Sequence, residues 1–299
     1  MMKKIALLLI IITSSCTDGI KTLPSSTGTF SEVIFVVEDG LWEEHIKEVV
    51  VKTFGAPIQG LAHNEPSFRV VQVNHAEFKS ILKTHKNIVI IAKGVLVSNQ
   101  QEKWANGQLV VQLNFENKKG EIKKDLVKVK AIFEWRELKS LRKNTSKTSQ
   151  NLAQQHIFQN FNIELLIPSE YTILKDTSTL FWATYNPDKQ EVIKQLLVFS
   201  FTPKRANIQQ EVLQKTDSIF AQYLKGAKQG QYVKIETEFP PYYSNNSYKG
   251  LWKLEKGFMG GPFLVKTYFD NEKIVVVAGL VFDPNSKKRK HLKTFEAIL

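Results

Sequence analysis

The stretch FLVKTYFDNEKIVVVAGLVF, residues 263–282, decides the fold class. Its two arms, Phe263–Phe269 and Ile274–Phe282, are rich in β-branched and aromatic residues, which favour strands. Asp270-Asn271-Glu272 between them is typical of a tight turn. Two strands joined by so short a connection pair antiparallel. The second half of the chain is therefore predicted to contain an antiparallel sheet.

Further elements lie on both sides of this hairpin. Alternating apolar and charged residues predict a half-buried strand over Val233–Phe239. Apolar residues at helical spacing predict a helix over Ile208–Tyr223 and a closing helix over Lys287–Leu299. The remaining strands of this half are predicted at Ile163–Leu174, Thr179–Tyr185, Leu196–Phe201 and Gly250–Leu254.

The first half contains a long helix that begins at Glu121. Its apolar face is predicted from steps of four, three and four residues through Ile122, Leu126, Val129 and Phe133, with a kink or break before Asn144. Asp39 is placed to cap a helix over Leu41–Phe54. The other strands are predicted at Ser31–Val37, Phe68–Val73, Asn87–Ile91 and Gln108–Phe115, and the other helices at His75–Leu82 and Ser149–Gln159.

This order of elements predicts an α+β fold in which predominantly antiparallel sheets are packed by helices. A hydrophobic content of 42% is enough for a core and excludes global disorder. The polar segment 143–149 is the best candidate for an internal boundary. The predicted organisation is a lipoprotein signal peptide (1–15), a lipidated N-terminus with a flexible tether (16–28), an N-terminal α+β half (29–148) and a C-terminal α+β half (149–299).

Cys16 is the single cysteine of the chain, and it follows the apolar run Ile5–Ile12. A short cationic head and a brief apolar run are typical of a secretory signal peptide, and the run is shorter than the ~20 residues that a membrane-spanning helix needs. The small residues before Cys16 resemble the lipobox of bacterial lipoproteins, with Thr13 where leucine is usual. A plain signal peptide is the alternative. The lipobox predicts lipid attachment at Cys16 and a cell-envelope location, at the periplasmic or surface face of the outer membrane.

The net charge of the chain is +12, and residues 118–147 carry eleven Lys and Arg against four acids. Nucleic acid would fit such a segment, but an exported lipoprotein rarely meets nucleic acid, so none is predicted as a partner. Two alternatives remain open. The segment is a solvated helix face, or it meets anionic lipid, glycan or an acidic envelope protein. The candidate surface-binding residues are Lys123, Lys124, Lys128 and Lys130.

Five segments together carry a family resemblance: VVEDGLWEEHIKEVVVKTFGAP (36–57), FKSILKTHKNIVII (78–91), IELLIPSEYTILKDTSTLFWATY (163–185), GLWKLEKGFMGGPF (250–263) and the terminal LKTFEAIL. They resemble the exported lipoproteins of Bacteroidota called domain of unknown function 4837. This resemblance implies an N-terminal lipid anchor and an extracytoplasmic location, and it implies no activity. The second half is also similar to the PsbP/Mog1-type α/β sandwich, whose members mostly act as binding or assembly factors.

Common catalytic and metal-binding motifs are absent from the sequence. The six histidines include no pair at i,i+4 spacing and no His-Glu-x-x-His motif. There is no Gly-x-Ser-x-Gly elbow and no phosphate-binding loop of the Gly-x-x-x-x-Gly-Lys type. No metal site, cofactor or catalytic residue is therefore predicted, although catalytic triads assembled by geometry leave no such motif.

The acidic residues Glu38, Asp39, Glu43 and Glu44 form the first candidate site. Carboxylates at this position either complement a helix N-terminus or act in general acid–base chemistry. The first interpretation is favoured, because the predicted helix begins among these residues.

Two neighbouring loops form the second candidate site. In FPPYYSNNSYKGLW (239–252), Tyr242, Tyr243 and Trp252 lie near amide side chains and either bind glycans or fold onto the sheet. In KGFMGGPF (256–263), Gly260 and Gly261 either cradle a phosphate or form a turn or bulge that enters a strand.

The sequence thus predicts a lipid-anchored envelope protein that binds or scaffolds a partner without catalysis. The alternative is an envelope hydrolase with a site near the Glu38–Glu44 turn or the 239–263 loops. A deep pocket with a histidine and carboxylates would favour the hydrolase, and a shallow aromatic or basic surface would favour binding.

Overall fold

Two β-sheets form the body of the chain, and the computed structural model describes residues 22–116, 119–204 and 207–299. The first sheet lies in the order β2-β1-β3-β5-β4, with β4 as the antiparallel strand among parallel ones. Its strands are β1 (Glu32–Val36), β2 (Arg69–Val73), β3 (Asn87–Ala92), β4 (Ser98–Gln101) and β5 (Leu109–Asn114). Its helices are α1 (Asp39–Leu41), a π-helical segment (Trp42–Ile46), α2 (Lys47–Phe54), a 3-10 helix (Ser80–Thr84) and α3 (Lys119–Ser146).

Parallel strands are covered on both faces, which explains the continuous apolar runs of β1, β3 and β5. On one face Phe54 of α2 and Phe133 of α3 meet with ring centroids 6.4 Å apart, and Phe35 of β1 packs against Phe54 at 5.1 Å. The predicted apolar face of α3 is confirmed, because Ile122, Leu126, Val129 and Phe133 are all buried.

The second sheet is antiparallel throughout and lies in the order β10-β11-β12-β13-β8-β7-β6, with β9 paired to β11. Its strands are β6 (Thr172–Asp176), β7 (Leu180–Tyr185), β8 (Ile193–Phe201), β9 (Val233–Ile235), β10 (Tyr242–Ser244), β11 (Ser247–Leu254), β12 (Gly260–Asp270) and β13 (Lys273–Phe282). The helices of this half are α4 (Asn151–Phe161), α5 (Ile208–Tyr223) and α6 (Arg289–Ile298).

Helices cover both faces of the second sheet. Residues of α4 and α6 join one apolar cluster, and Val212 and Phe220 of α5 join the cluster on the opposite face. The predicted hairpin of β12 and β13 is confirmed: Asp270 pairs with Lys273, and the turn between them contains Asn271 with φ 54°.

A buried ion pair joins α3 in the first half to α6 in the second. Lys293 Nζ lies 2.6 Å from Glu137 Oε2, and Ser31 donates its backbone N–H and its hydroxyl to the same carboxylate, both at 2.8 Å. Lys293 also lies over the ring of Phe68, with Nζ 4.5 Å from the centroid. Because both charges are buried, each depends on the other for compensation.

A second contact between the halves is a helix cap. The carboxylate of Glu65 accepts the backbone N–H groups of Lys288 and Arg289 at 2.8 and 2.9 Å, at the start of α6. The Arg289 guanidinium donates to the carbonyl of Pro66 at 2.6 Å. The loop before β2 thus holds the N-terminus of α6.

The predicted α+β fold of helices and predominantly antiparallel sheets is confirmed, and the first sheet adds a feature that was not predicted. Three of its strand pairings are parallel: helical segments connect β1 to β2 and β2 to β3, and β4 with its flanking loops lies between β3 and β5. The edge strands β4 and β10 were also not predicted.

Several local predictions are wrong. Helix His75–Leu82 is replaced by the 3-10 helix, and strand Ile163–Leu174 begins only at Thr172. Strand Val233–Phe239 ends at Ile235. Helix α3 runs without a break to Ser146, so the predicted break before Asn144 is absent from its described backbone.

Asp39 does not cap the following helix. Glu38 is the N-cap residue and makes no capping side-chain hydrogen bond. The Asp39 carboxylate instead accepts hydrogen bonds from Gln72 at 2.9 Å and from Asn74 at 3.0 Å. The carboxylate therefore ties the end of β1 to the end of β2.

The signal peptide and Cys16 lie outside the described residues. Within the predicted tether, the backbone N–H groups of Ser26 and Thr27 donate to Asn106 and Thr84 at 3.1 and 2.9 Å. This part of the chain is therefore bound to the first half. Among the helices that the structure describes, none has the length and apolarity needed to cross a membrane.

Candidate ligand-binding site

A cavity of about 450 Å³ lies beside the C-terminal end of α5, against the second sheet. Trp182, Tyr223 and Trp252 contribute aromatic surface, and the rings of Trp182 and Tyr223 pack edge-on with centroids 6.2 Å apart. The aliphatic lining comes from residues including Leu224, Val233, Leu254 and Leu280. This lining continues the apolar cluster beneath α5.

The two indole N–H groups at this cavity have partners in the protein. Trp182 Nε1 donates to Gln195 Oε1 at 2.7 Å, and Trp252 Nε1 donates to the carbonyl of Val281 at 3.3 Å. Because each indole N–H is already bonded within the protein, the two rings present apolar surface to the cavity.

A larger cleft of about 610 Å³ also borders on Trp252. The first half contributes His63 and Glu65 to this cleft, and the second half contributes Glu236 together with Gly260 and Gly261. The cleft therefore brings together a histidine and two carboxylates.

Both carboxylates of the cleft are engaged in other contacts. Glu65 caps α6, as described above. Glu236 accepts hydrogen bonds from Lys253 Nζ at 2.7 Å and from the Glu238 N–H at 3.1 Å, and these bonds hold the pKa of Glu236 below its ordinary value. A carboxylate with a lowered pKa stays ionised at neutral pH and is a poor proton donor. Glu236 therefore does not fit the role of a general acid.

Gly260 and Gly261 begin β12 instead of forming a phosphate loop. A Cβ atom on Gly261 would lie 2.0 Å from the Val281 carbonyl oxygen, and one on Gly260 would lie 3.0 Å from the Trp252 carbonyl oxygen. Neither glycine has a positive φ. Close approach of neighbouring strands therefore explains both glycines.

The aromatic residues of the second candidate site are separated. Tyr242 and Tyr243 lie on the edge strand β10 and are partly exposed, and Trp252 is buried. Tyr243 packs on Tyr248 with ring centroids 4.8 Å apart. Tyr242 lines a groove of about 290 Å³ that also contains Lys130. The three predicted aromatics thus do not form one surface.

The four predicted lysines of α3 divide into two groups. Lys123, Lys124 and Lys128 are exposed, and Lys128 Nζ lies 3.5 Å from the Asp125 carboxylate. The Lys130 side chain is only 21% exposed and lies 3.5 Å from Glu134. The expectation that Lys130 lies largely in water is therefore wrong.

The acidic residues of the first candidate site are engaged in local contacts: Glu38 and Asp39 follow β1, and Glu43 and Glu44 lie in the π-helical segment. Asp39 binds Gln72 and Asn74, and the Glu43 carboxylate lies 2.9 Å from Lys47. The Glu44 carboxylate lies 3.6 Å from the His45 ring. These contacts support a structural role for the cluster.

Three histidines pair with single carboxylates, at 2.8–2.9 Å: His85 with Glu32, His156 with Asp176 and His291 with Asp283. Within residues 22–116, 119–204 and 207–299, no group of three or more His, Cys, Asp or Glu side chains is arranged to hold a metal ion.

Sequence reasoning missed the 450 Å³ cavity. Its aromatic residues come from four separate elements, β7, α5, β11 and β13, so no local spacing brings them together. The helix that ends at Tyr223 was predicted, but the cavity depends on the length of this helix relative to the neighbouring strands, which no local pattern indicates.

Two family models match this chain. The model described as "Domain of unknown function (DUF4837)" matches residues 149–299, and the model described as "Domain of unknown function (DUF8532)" matches residues 26–146. The first match agrees with the resemblance carried by the segments from residue 163 onward, whereas segments 36–57 and 78–91 lie in the region that the second model matches. The similarity to the PsbP/Mog1-type sandwich is not borne out. No curated protein matches the chain.

Among solved structures, the chain is similar to one described as "Human StarD13 (DLC2) lipid transfer and protein localization domain". The two share 11% identity with a TM-score of 0.19, over 43% of this chain and 89% of that chain. A similarity at this level supports no conclusion about fold or ligand.

Proposed function

Given that this chain belongs to the family of the domain of unknown function DUF4837, we propose that it is a non-catalytic, lipid-anchored protein of the cell envelope. Acylated Cys16 holds it at the outer membrane, on the periplasmic or surface face. A basic surface on α3 then contacts anionic lipid head groups. The observation that carries this proposal is the composition of the outer face of α3.

The outer face of α3 combines exposed apolar side chains with lysines. Trp135 is 59% exposed and Val127 is 52% exposed. Lys139 Nζ lies over the Trp135 ring at 4.7 Å from its centroid, and Lys124 and Lys128 lie one helical turn apart on the same helix. We call Lys123, Lys124, Val127, Lys128, Trp135 and Lys139 the α3 outer face.

This composition suits a membrane interface. Tryptophan has an apolar body and a polar N–H, and both are accommodated at the head-group level. Each lysine near an anionic surface contributes about 1 kcal/mol, within a screening distance of roughly 10 Å at ordinary salt. A lipid anchor keeps the protein close to the bilayer, so that contacts of low intrinsic affinity still form. The engaged carboxylates of the 610 Å³ cleft support a non-catalytic role.

Vesicle sedimentation tests the contact with the chain from Thr17 onward, which contains every described residue and lacks the lipid. The variant Lys123→Glu/Lys124→Glu/Lys128→Glu should bind vesicles of anionic phospholipid much less than the wild type does at low salt. High salt should weaken wild-type binding to a similar extent.

The matched control is Lys189→Glu/Lys215→Glu/Lys273→Glu, which reverses three exposed lysines of the second half. It makes the same change in net charge, so the proposal predicts that it keeps most of the binding. Equal losses in the two triple variants would show that net charge alone drives binding, and the α3 outer face would then have no special role.

The anchor has its own test. Cys16→Ser should abolish fatty-acid labelling of the full chain and release the protein from the membrane fraction. Labelling that persists in this variant would overturn the lipobox assignment.

A further inference from the structure

Basic loops lie beside the 450 Å³ cavity at the end of α5. Lys225, directly after α5, lines the cavity while its Nζ donates to the Ala221 carbonyl at 2.5 Å, and Lys228 lies in the same loop. Gln231 connects this loop to the turn between β11 and β12: its side-chain amide donates to the Lys256 carbonyl at 2.8 Å and accepts the Lys228 N–H at 3.1 Å. Lys225, Lys228 and Lys256 therefore belong to two adjoining loops, and we call them the rim lysines.

Negative charge near the rim is compensated by other residues. The Glu255 carboxylate lies 2.5 Å from Lys234 Nζ, and Glu236 pairs with Lys253 at 2.7 Å. Among the described carboxylates, none forms an ion pair within 4.0 Å of a rim lysine Nζ, and Lys256 attracts the neighbouring Glu255 carboxylate only at longer range. The rim therefore carries a net positive charge that an anionic group can neutralise.

The interior of the cavity has the opposite chemistry. Its two indole N–H groups are bonded within the protein, and Met259 adds a flexible thioether to the aliphatic lining. Phe258, next to Met259, is 93% exposed. An apolar interior with a charged rim suits a molecule that has an apolar body and an anionic end.

From this arrangement we infer that the cavity binds a single-chain amphiphile, with its acyl chain against Trp182, Tyr223 and Trp252 and its anionic head group at the rim lysines. Burial of the chain supplies affinity in proportion to the number of methylene groups removed from water. The rim selects the head group, because a neutral head cannot compensate its charge. The inference does not rest on the membrane contact of α3, since a soluble amphiphile can occupy the cavity without a bilayer.

Isothermal titration calorimetry of the chain from Thr17 onward tests the inference in the absence of vesicles. The probes are dodecanoate, dodecyl phosphate and 1-dodecanol, each below its aggregation concentration. The wild type should bind the two anions more tightly than it binds the alcohol. The tighter of the two anions identifies a carboxylate or a phosphate head group.

Three variants locate the binding. Ala227→Trp places a large ring at an exposed residue of the cavity wall and should weaken dodecanoate binding about tenfold or more. Lys225→Glu/Lys228→Glu should weaken dodecanoate binding about tenfold and leave 1-dodecanol binding within about twofold. The matched control Lys189→Glu/Lys215→Glu should bind all three probes as the wild type does.

If Ala227→Trp lowers the melting temperature, Met259→Trp provides a second way to fill the cavity and should weaken binding equally. The inference is overturned if dodecanoate does not bind the wild type, or if the cavity-filling variants bind it unchanged. Equal losses of dodecanoate and 1-dodecanol in Lys225→Glu/Lys228→Glu would also overturn the role of the rim. Failure of these tests leaves the vesicle result for α3 unaffected.

Discussion

The two sheets differ in how completely a helix covers the strands beneath it. Helix α3 has 28 residues, or ~42 Å at about 1.5 Å per residue, and β5 beneath it has six residues, or ~20 Å. Helix α5 has 16 residues, or ~24 Å, and β13 has ten, or ~34 Å. In the first half, helix α3 is therefore longer than the strand beneath it. In the second half, strand β13 is longer than helix α5.

Each of these differences in length has a structural consequence. The far end of α3 reaches the second half, where Glu137 meets Lys293, and its outer face is left to solvent. The shorter α5 leaves strand surface uncovered at its C-terminal end, where the 450 Å³ cavity lies. Both candidate binding surfaces of this chain thus lie where a helix and the strands beneath it differ in length.

The largest effect is expected from breaking the ion pair between the halves. Lys293→Met leaves the Glu137 carboxylate buried without its cation and should lower the free energy of unfolding by about 3–5 kcal/mol. Hydrogen exchange of β1 and β13 should show lower protection in both halves. Protection lost in only one half would contradict a stabilising role for the pair across the junction. Glu137→Gln added to Lys293→Met should recover part of the loss.

A smaller effect is expected within the second sheet. Gly261→Ala places a methyl group 2.0 Å from the Val281 carbonyl oxygen, and such overpacking costs about 1–3 kcal/mol. Gly260→Ala, with its nearest contact at 3.0 Å, should cost less. Urea denaturation compares the two variants. Unchanged stability in Gly261→Ala, together with lost ligand binding, would indicate a binding loop.

The cap on α6 is a second contact between the halves whose contribution to stability can be measured. Glu65→Gln removes the negative charge of the carboxylate whose oxygens accept the N–H groups of Lys288 and Arg289. This change should destabilise the protein by about 1 kcal/mol. Glu272→Gln, at an exposed turn, serves as the matched control and should be neutral. The same loss in both variants, measured by thermal unfolding, would show that the cap contributes nothing of its own.

The smallest effect is expected from pH, because no contact is removed. Burial lowers the pKa of His291 below 6.5, and the hydrogen bond to Asp283 only partly opposes this shift. The unfolded state therefore binds more protons below pH 6.5, so stability should fall as the pH drops through this range. His291→Gln should flatten the slope of stability between pH 7 and pH 5, measured by urea denaturation. An unchanged slope would assign it to other groups.

Much of this fold could be predicted from local patterns. The β12–β13 hairpin and the apolar face of α3 follow from residues close in sequence, whose burial the spacing indicates. The parallel pairing of β1 with β2 and β3 could not be predicted, because no turn residue fixes it. Asp39 was predicted to cap a helix because of its place in the sequence. Its partners in the structure, Gln72 and Asn74, are distant in sequence and leave no local signal.

The candidate sites also contain features that local sequence predicts and features that depend on residues distant in sequence. The exposed lysines of α3 follow from helical spacing, and the structural role of Gly261 follows from its place at the start of a strand. Lys130 was misjudged because it lines a groove together with residues distant in sequence, such as Tyr242, which helical spacing does not indicate. The cavity beside α5 depends on several elements that are distant in sequence and on the relative lengths of α5 and β13, which no local pattern indicates.

Depth-dependent quenching of Trp135 tests the contact between the α3 outer face and the membrane most directly. Anionic vesicles whose acyl chains carry bromine quench a tryptophan that reaches the head-group boundary. The wild type should show quenching that is largely absent in Trp135→Phe, with the other four tryptophans contributing little. Equal quenching in the wild type and in Trp135→Phe would contradict this account, because the indole would then have no part in the membrane contact.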